Sequence, residues 1–364
     1  MKTTPVKKFL IVSLSLLILA SGCCSTAEEV KFRQFFSWNY TGNEQRAAKY
    51  AEAGVTDVLV CNRKQYDLAL KYGMRPYWKC FTPSVSIGLP PQVMSPDEEK
   101  YQEYISGKDL DRKLSGKERL KILHKRRIEK QHRYGGEAVV EIDTQSSKIG
   151  CFISDKDLKI TGKQLDLLLK DAPDKAEGMA LDFIGYTNHK GCYCKNCLAA
   201  YKKFLADSKL ADTPESKGCF YRDRLAAYYN AVIDYIKSKR PDFKIIIHVY
   251  PDFRYDHLYG NRIKADYCGQ TVAWYFKWNQ KKIEKYTKFV IERAKDYYAN
   301  VEGMPFIGLN ADKNSSLGFK TPAEVEQELK IILAAGGRTL MVCNGSDIIK
   351  DGYWEVFRKY CGKK

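Results

Sequence analysis

Cys192, Cys194 and Cys197 lie within the stretch Gly191-Cys-Tyr-Cys-Lys-Asn-Cys197, and Cys192 stands ten residues after Asp182. Three thiolates so close in the chain can converge on one ion where the backbone turns tightly, and tetrahedral zinc favours such soft donors. A disulfide knot or a group of ordinary buried thiols fits the same spacing. Asp182 itself closes the apolar run Gly178-Met-Ala-Leu-Asp182, which makes it a candidate active-site acid at a strand end.

The elements that would position these groups are short apolar strands alternating with amphipathic helices. Strands are predicted at Phe32 to Trp38, Thr56 to Cys61, Arg75 to Phe81, Gly178 to Phe183, Lys244 to Tyr250, Tyr267 to Phe276, Met304 to Leu309 and Thr339 to Cys343. Helices are predicted between them, among them Tyr221 to Lys239, stopped by Pro241, and Pro322 to Ala335, capped by Thr321 and followed by Gly336. Eight strands with intervening helices predict an α/β fold, a (β/α)8 TIM barrel occupying residues 31–364 as one domain. A Rossmann-like sheet is the alternative, but no glycine-rich fingerprint follows the first strand. A long insertion, residues 82–160, follows strand three and would stand on the catalytic face.

In such a barrel, functional groups stand just past the carboxyl end of each strand. Candidate binding residues there are Trp38, Tyr40, Asn62, Trp78, Lys79, Tyr186, His248, Tyr250, Trp274, Asn310 and Asn344, with Arg63, Tyr275, Trp278 and Asp347 beside them. Flat aromatic faces stack on the apolar faces of sugar rings, and amides and carboxylates pair with hydroxyls, so the set suits a saccharide cleft. Asp182, Asp312 and Asp252 are the candidate catalytic carboxylates. Retaining hydrolysis needs two carboxyls about 5 Å apart and inversion about 6.5–9.5 Å; the short aspartate side chain leans toward the wider spacing. Asp182 would be the general acid, its pKa raised by Phe183 and Ile184 or by a second carboxylate, and Asp312 or Asp252 the base that activates water. His248 is expected either to share the acid/base work or to be a satisfied barrel residue.

The ends and the charge bound where this chemistry takes place. Residues 1–22 carry Lys2, Lys7 and Lys8 before an apolar run, Phe9 to Ala20, and read as a secretory signal. Leu19-Ala-Ser-Gly-Cys23 resembles a bacterial lipobox, with Ala20 where leucine is commoner; Cys23 would be lipidated and residues 23–30 would form a tether. The protein is therefore expected in the bacterial cell envelope, lipid-anchored at the outer membrane or the periplasmic face. Loss of the three leader lysines lowers the net charge from +17 to +14. Such a balance favours polyanions; export argues against nucleic acid and for acidic glycans or anionic membrane. Part of the excess lies in Lys117 to Arg133, whose helical spacing also fits a solvated basic face. Of twelve cysteines, eleven remain beside Cys23, an odd number that forbids a complete disulfide framework. Cys61, Cys80 and Cys343 sit in apolar runs and read as small core hydrophobes.

The strand-four acid followed by Cys192, Cys194 and Cys197 resembles the family 42 glycoside hydrolases, the zinc-containing β-galactosidases, and their barrel relatives; the motifs lie within residues 148–204. The resemblance implies a structural four-thiolate zinc site with Cys151 as the upstream fourth ligand and Cys219 as its rival. It also marks departures. Asp182-Phe183 stands where the family has Asn-Glu, and Asn310, Ala311 and Asp312 stand where its nucleophilic glutamate follows strand seven. Expected, then, is a glycosidase cleaving O-glycosidic bonds of an oligosaccharide or polysaccharide, acidic by its charge. The alternatives are a glycan-binding barrel that has lost catalysis and an enzyme of another class on the same scaffold.

Overall fold

Buried four- to seven-residue strands alternate with helices in the computed structural model, which describes residues 30–40, 42–81, 103–104, 107–133, 155–182, 192–249, 259–275, 278–315 and 318–362. Contacts separate Met1–Val30 from Lys31–Lys364, and the fold described is that of the second unit. In chain order the elements are β1 (Gln34–Ser37), α1 (Glu44–Glu52), β2 (Asp57–Val60), α2 (Arg63–Lys71), β3 (Arg75–Phe81), α3 (Gly116–Arg133), α4 (Asp155–Asp171), β4 (Gly178–Leu181), α5 (Lys195–Ser208), α6 (Pro214–Lys239), β5 (Lys244–Val249), β6 (Tyr267–Ala273), α7 (Gln280–Arg293), β7 (Glu302–Gly308), α8 (Pro322–Ala334), β8 (Thr339–Cys343), α9 (Gly345–Ile348) and α10 (Tyr353–Cys361).

Strands buried on both faces need continuous apolar runs rather than alternation, and Lys244-Ile-Ile-Ile-His-Val249 is such a run. All eight strands pair in parallel in the order β1 to β8, and β1 pairs β8 through Phe36 and Met341 to close the barrel. The expected (β/α)8 barrel is thus the observed fold. Its interior is aromatic: the Phe36 ring meets Tyr77 edge-on at 5.1 Å and Trp38 at 6.2 Å.

Local signals explain most helix starts. Asn43 caps α1 by accepting from Arg46 N, and Thr321 forms a capping box with Glu324 ahead of Pro322. α6 starts at Pro214, seven residues before the predicted Tyr221, because Thr213 caps it and Pro214 occupies its first turn. Its polar opening, Pro214-Glu-Ser-Lys-Gly, hides that start from any reading based on apolar spacing. α4 begins at Asp155, inside the range assigned to the insertion.

Two features correct the sequence reading of the cysteines. Cys61 is exposed, and Cys80 and Cys343 are only partly buried, since each stands at or beyond the last turn of pairing on its strand. Among the described residues no cysteine is in a disulfide. No described helix is long and apolar enough to cross a membrane. The leader and Cys23, most of residues 82–160, Cys151, Phe183, Ile184, Tyr186, Tyr250 and Asp252 lie outside the described residues.

Candidate functional site

Asp182 is the first residue past β4, and its N–H donates to Phe81 O at the end of β3 (3.2 Å). This tie sets the carboxylate at the mouth of the barrel, 7% exposed. Its Oδ1 lies 3.1 Å from His248 Nδ1, and His248 Nε2 lies 3.0 Å from Thr271 Oγ1. The three side chains come from the adjacent strands β4, β5 and β6. With Nδ1–H donating to Asp182 Oδ1 and the Thr271 hydroxyl donating to Nε2, Asp182 Oδ2 is left to carry an acidic proton. That assignment makes the imidazole neutral.

The surroundings enforce the same state. Among its ring neighbours are Phe306 edge-on at 3.9 Å, Trp38 at 5.7 Å and Trp274 near-parallel at 5.9 Å. Burial in this aromatic box lowers the pKa of His248, and the hydrogen bond and charge of Asp182 oppose the shift. Gly308 on β7 makes room for the roof, since a Cβ there would come within 2.9 Å of both Trp274 Cε3 and Tyr275 N.

Tyr275 forms a second wall. Its ring packs on Trp274 at 4.5 Å, and its hydroxyl lies 3.1 Å from Cys343 Sγ at the end of β8. Burial raises the pKa of Tyr275, and Cys343, Asp182 and Asp347 push in the same direction. The phenol is therefore held protonated. Burial likewise pushes the Cys343 thiol up to about 11. Asp347 is buried on α9, accepts from Ala311 N (2.9 Å) and pairs with Lys350 Nζ (2.8 Å).

The remaining sequence candidates separate into two groups. Trp38, Trp274, His248 and Asp182 are brought together. Asn344 sits at φ 30, in the left-handed region that asparagine tolerates, and accepts from Asn39 Nδ2 (3.4 Å). Asn310 braces the loop after β7, donating to Gly318 O (2.8 Å) and accepting from Asp312 N (3.1 Å). Asp312 is exposed in that loop, where its carboxylate accepts from Asn314 N (2.9 Å).

Tyr40, Asn62, Trp78 and Lys79 are instead engaged by the helix layer. Tyr40 packs on Tyr50 of α1, and burial raises its pKa to about 12. Asn62 caps α2 through Gln65 N (3.0 Å). Trp78 meets Tyr66 of α2, and Lys79 reaches Asp171 of α4 (3.4 Å) from a φ of 58, beside the register shift between Tyr77 and Cys80. Thr271 and the Tyr275–Cys343 contact had no assigned role in the sequence reading, although the strand-end position of Tyr275 was a usable signal.

The cysteine cluster is close by in the chain. The Sγ atoms of Cys192, Cys194 and Cys197 lie within 4.8 Å of one another, and Cys219 is not in the group. A tetrahedral zinc with bonds of about 2.3 Å places its sulfurs ~3.8 Å apart, so this donor set fits zinc. Tyr221 OH donates to Cys192 O (2.6 Å) and fixes the turn.

No protein-family model matches the chain, and no curated protein matches its sequence. Solved structures do match. The PgaB (BpsB) glycoside hydrolase domain from Bordetella bronchiseptica has 8% identity and a TM-score of 0.57, covering 92% of this chain and 99% of that one. A β-galactosidase from the Antarctic haloarchaeon Halorubrum lacusprofundi has 12% identity and a TM-score of 0.50, covering 90% of this chain and 57% of that one. The agarase AgWH50C has 10% identity and a TM-score of 0.50, covering 87% of this chain and 48% of that one. What is shared at such identities is the barrel fold, and the chain spans about half the length of the latter two.

Proposed function

We propose that this protein is a glycosidase that hydrolyses O-glycosidic bonds of an oligosaccharide or polysaccharide at the barrel mouth, with Asp182 as the general acid. The observation that carries the reading is the Asp182 carboxylate at the end of β4, oriented by a neutral His248 locked in an aromatic box. The likeness of the barrel to solved glycoside hydrolases supports it, as does the family 42 resemblance around the cysteines.

In this mechanism Asp182 gives its proton to the leaving glycosidic oxygen as the bond to the anomeric carbon breaks. A second carboxylate removes a proton from water, whose oxygen forms the new bond to that carbon. Asp312 and Asp252 are the candidate bases, and Asp347, whose charge acts on Tyr275 as that of Asp182 does, is a third. His248 acts as a positioning residue; its one N–H toward the carboxylate fixes which oxygen faces the sugar. Trp38 and Trp274 supply apolar faces beside the acid, Asn344 supplies an amide on the rim, and Asn310 braces the loop after β7.

Cys192, Cys194 and Cys197, with Cys151, would hold a structural zinc that clamps the turn following the Asp182 loop. Lipidation of Cys23 would tether the enzyme to the bacterial envelope, where extracellular glycans are within reach. Metabolic labelling with a lipid precursor, repeated on Cys23→Ser, tests the anchor; unchanged labelling of the variant would remove it. Cleavage of a glycan panel by the wild type and by Asp182→Asn tests the activity.

A further inference from the structure

Helix starts on the catalytic face carry cations where helix physics favours anions. Free N–H groups and aligned peptide dipoles make a helix N-terminus positive, so acids are favoured in the first turn. Every helix that directly follows a barrel strand starts on the mouth face. α2 opens on Arg63 and Lys64, and α7 on Gln280 and Lys281, with no acid in either first turn. Lys313 adds a cation in the loop after β7. All four cations are exposed, and none has an ion pair among the described residues.

Acids on the same face are engaged locally, and Asp312, beside Lys313, accepts from Asn314 N (2.9 Å). Glu44 of α1 pairs with Lys71, Glu324 of α8 accepts from the N–H and hydroxyl of Thr321, and Glu355 of α10 accepts from Gly352 N. Arg63 lies 5.9 Å from the ring centroids of Tyr66 and Trp78, contacts that hold the guanidinium without cancelling its charge. Lys195, also exposed, opens α5 in the same way, after the strand that carries Asp182.

The placement of the four cations is as informative as their sign. In the closed order β1 to β8, β2 and β6 are diametrically opposed, and β4 with Asp182 lies between them. An anionic partner meeting both sets must cross the mouth. An extended chain with repeated negative groups does so; a small anion does not.

We infer that the substrate is an anionic polysaccharide, bearing carboxylate or sulfate groups, lying across the mouth from the α2 side to the α7 and β7-loop side. The inference names the substrate class of the glycosidase proposed above and rests on that reading. Electrostatic capture of this kind is weakened by salt.

The test uses full-length Asp182→Asn, titrated with polygalacturonate and its methyl-esterified form, dextran sulfate and dextran, and phosphatidylglycerol vesicles. At least one charged polymer is expected to bind tenfold or more tighter than its neutral counterpart, and whichever does so distinguishes carboxylate from sulfate recognition. Adding Arg63→Glu, Lys64→Glu and Lys281→Glu is expected to cost tenfold or more in that affinity and to leave the neutral polymers unchanged. Equal affinity for charged and neutral polymers overturns the inference, as does charge reversal without effect. Charge reversal that abolishes vesicle binding but not polymer binding also overturns it and assigns the rim to a membrane. Polyanion binding with no glycan cleavage by the unmodified enzyme keeps the anion-binding surface and sinks the glycosidase reading; cleavage confined to neutral glycans does the reverse.

Discussion

Asp182 Oδ1 and His248 Nδ1 lie 3.1 Å apart at the barrel mouth, and the far side of the imidazole is held by Thr271. The pairing joins two strand ends that are 66 residues apart in the chain and gives Asp182 a fixed donor. Most of what the site can do follows from that contact.

Its pH signature has a definite sign. Burial keeps the His248 pKa below the usual histidine value, so the unfolded chain binds a proton at higher pH than the folded one. The stability that comes from keeping His248 neutral is complete above the unfolded value of about 6.5 and is lost as pH falls toward the folded value. The thermal midpoint should drop between about pH 7 and 5, and His248→Asn should flatten that part of the profile while costing about 1–3 kcal/mol at neutral pH. Superimposable profiles for the two proteins would assign the pH dependence elsewhere. Thr271→Val should cost about 1–2 kcal/mol and lower kcat more than it changes KM, because the acid loses its orientation.

Zinc at the cysteine turn predicts about one metal ion per chain by elemental analysis of protein purified under reducing conditions. Cys197→Ser should lose the ion and lower the thermal midpoint, as should a strong chelator. Metal-free wild-type protein with an unchanged midpoint would leave the three sulfurs without that role.

A buried ion pair anchors the loop that carries Asn310. Lys320 Nζ, fully buried, lies 2.8 Å from Glu328 Oε2 and donates to Gly308 O (2.9 Å). Burial lowers the Lys320 pKa and raises that of Glu328, and each charge opposes the other's shift. Glu328→Gln should cost about 3–5 kcal/mol in chemical denaturation, since it strands a buried ammonium, and Lys320→Met with Glu328→Leu should recover much of the loss. A single change as mild as the double would show that the pair contributes little.

The legible part of the sequence was its periodicity. β3 and β8 fall at their predicted limits because Pro, Gly and charged residues bracket their apolar runs. Asp182 was legible for the same reason, as the first carboxylate after such a run. Parity along β3 was readable but unused: Tyr77 points inward to Phe36, so Trp78 points outward to α2. Thr271 was not legible, because it lies within β6 and not past its carboxyl end, where functional groups were expected. Asp347 was legible as an acid past the last strand, but the four-residue helix that carries it is too short to leave a periodic trace.

Release of reducing ends from a glycan panel by the wild-type protein and by Asp182→Asn tests the central claim most directly. Wild-type protein should cleave at least one glycan, and the variant, with its fold verified by circular dichroism, should be slower by about 10²–10⁴-fold. Cleavage by Asp182→Asn at the wild-type rate would contradict the assignment of Asp182 as the acid, and the absence of cleavage by both proteins across the panel would contradict the glycosidase itself.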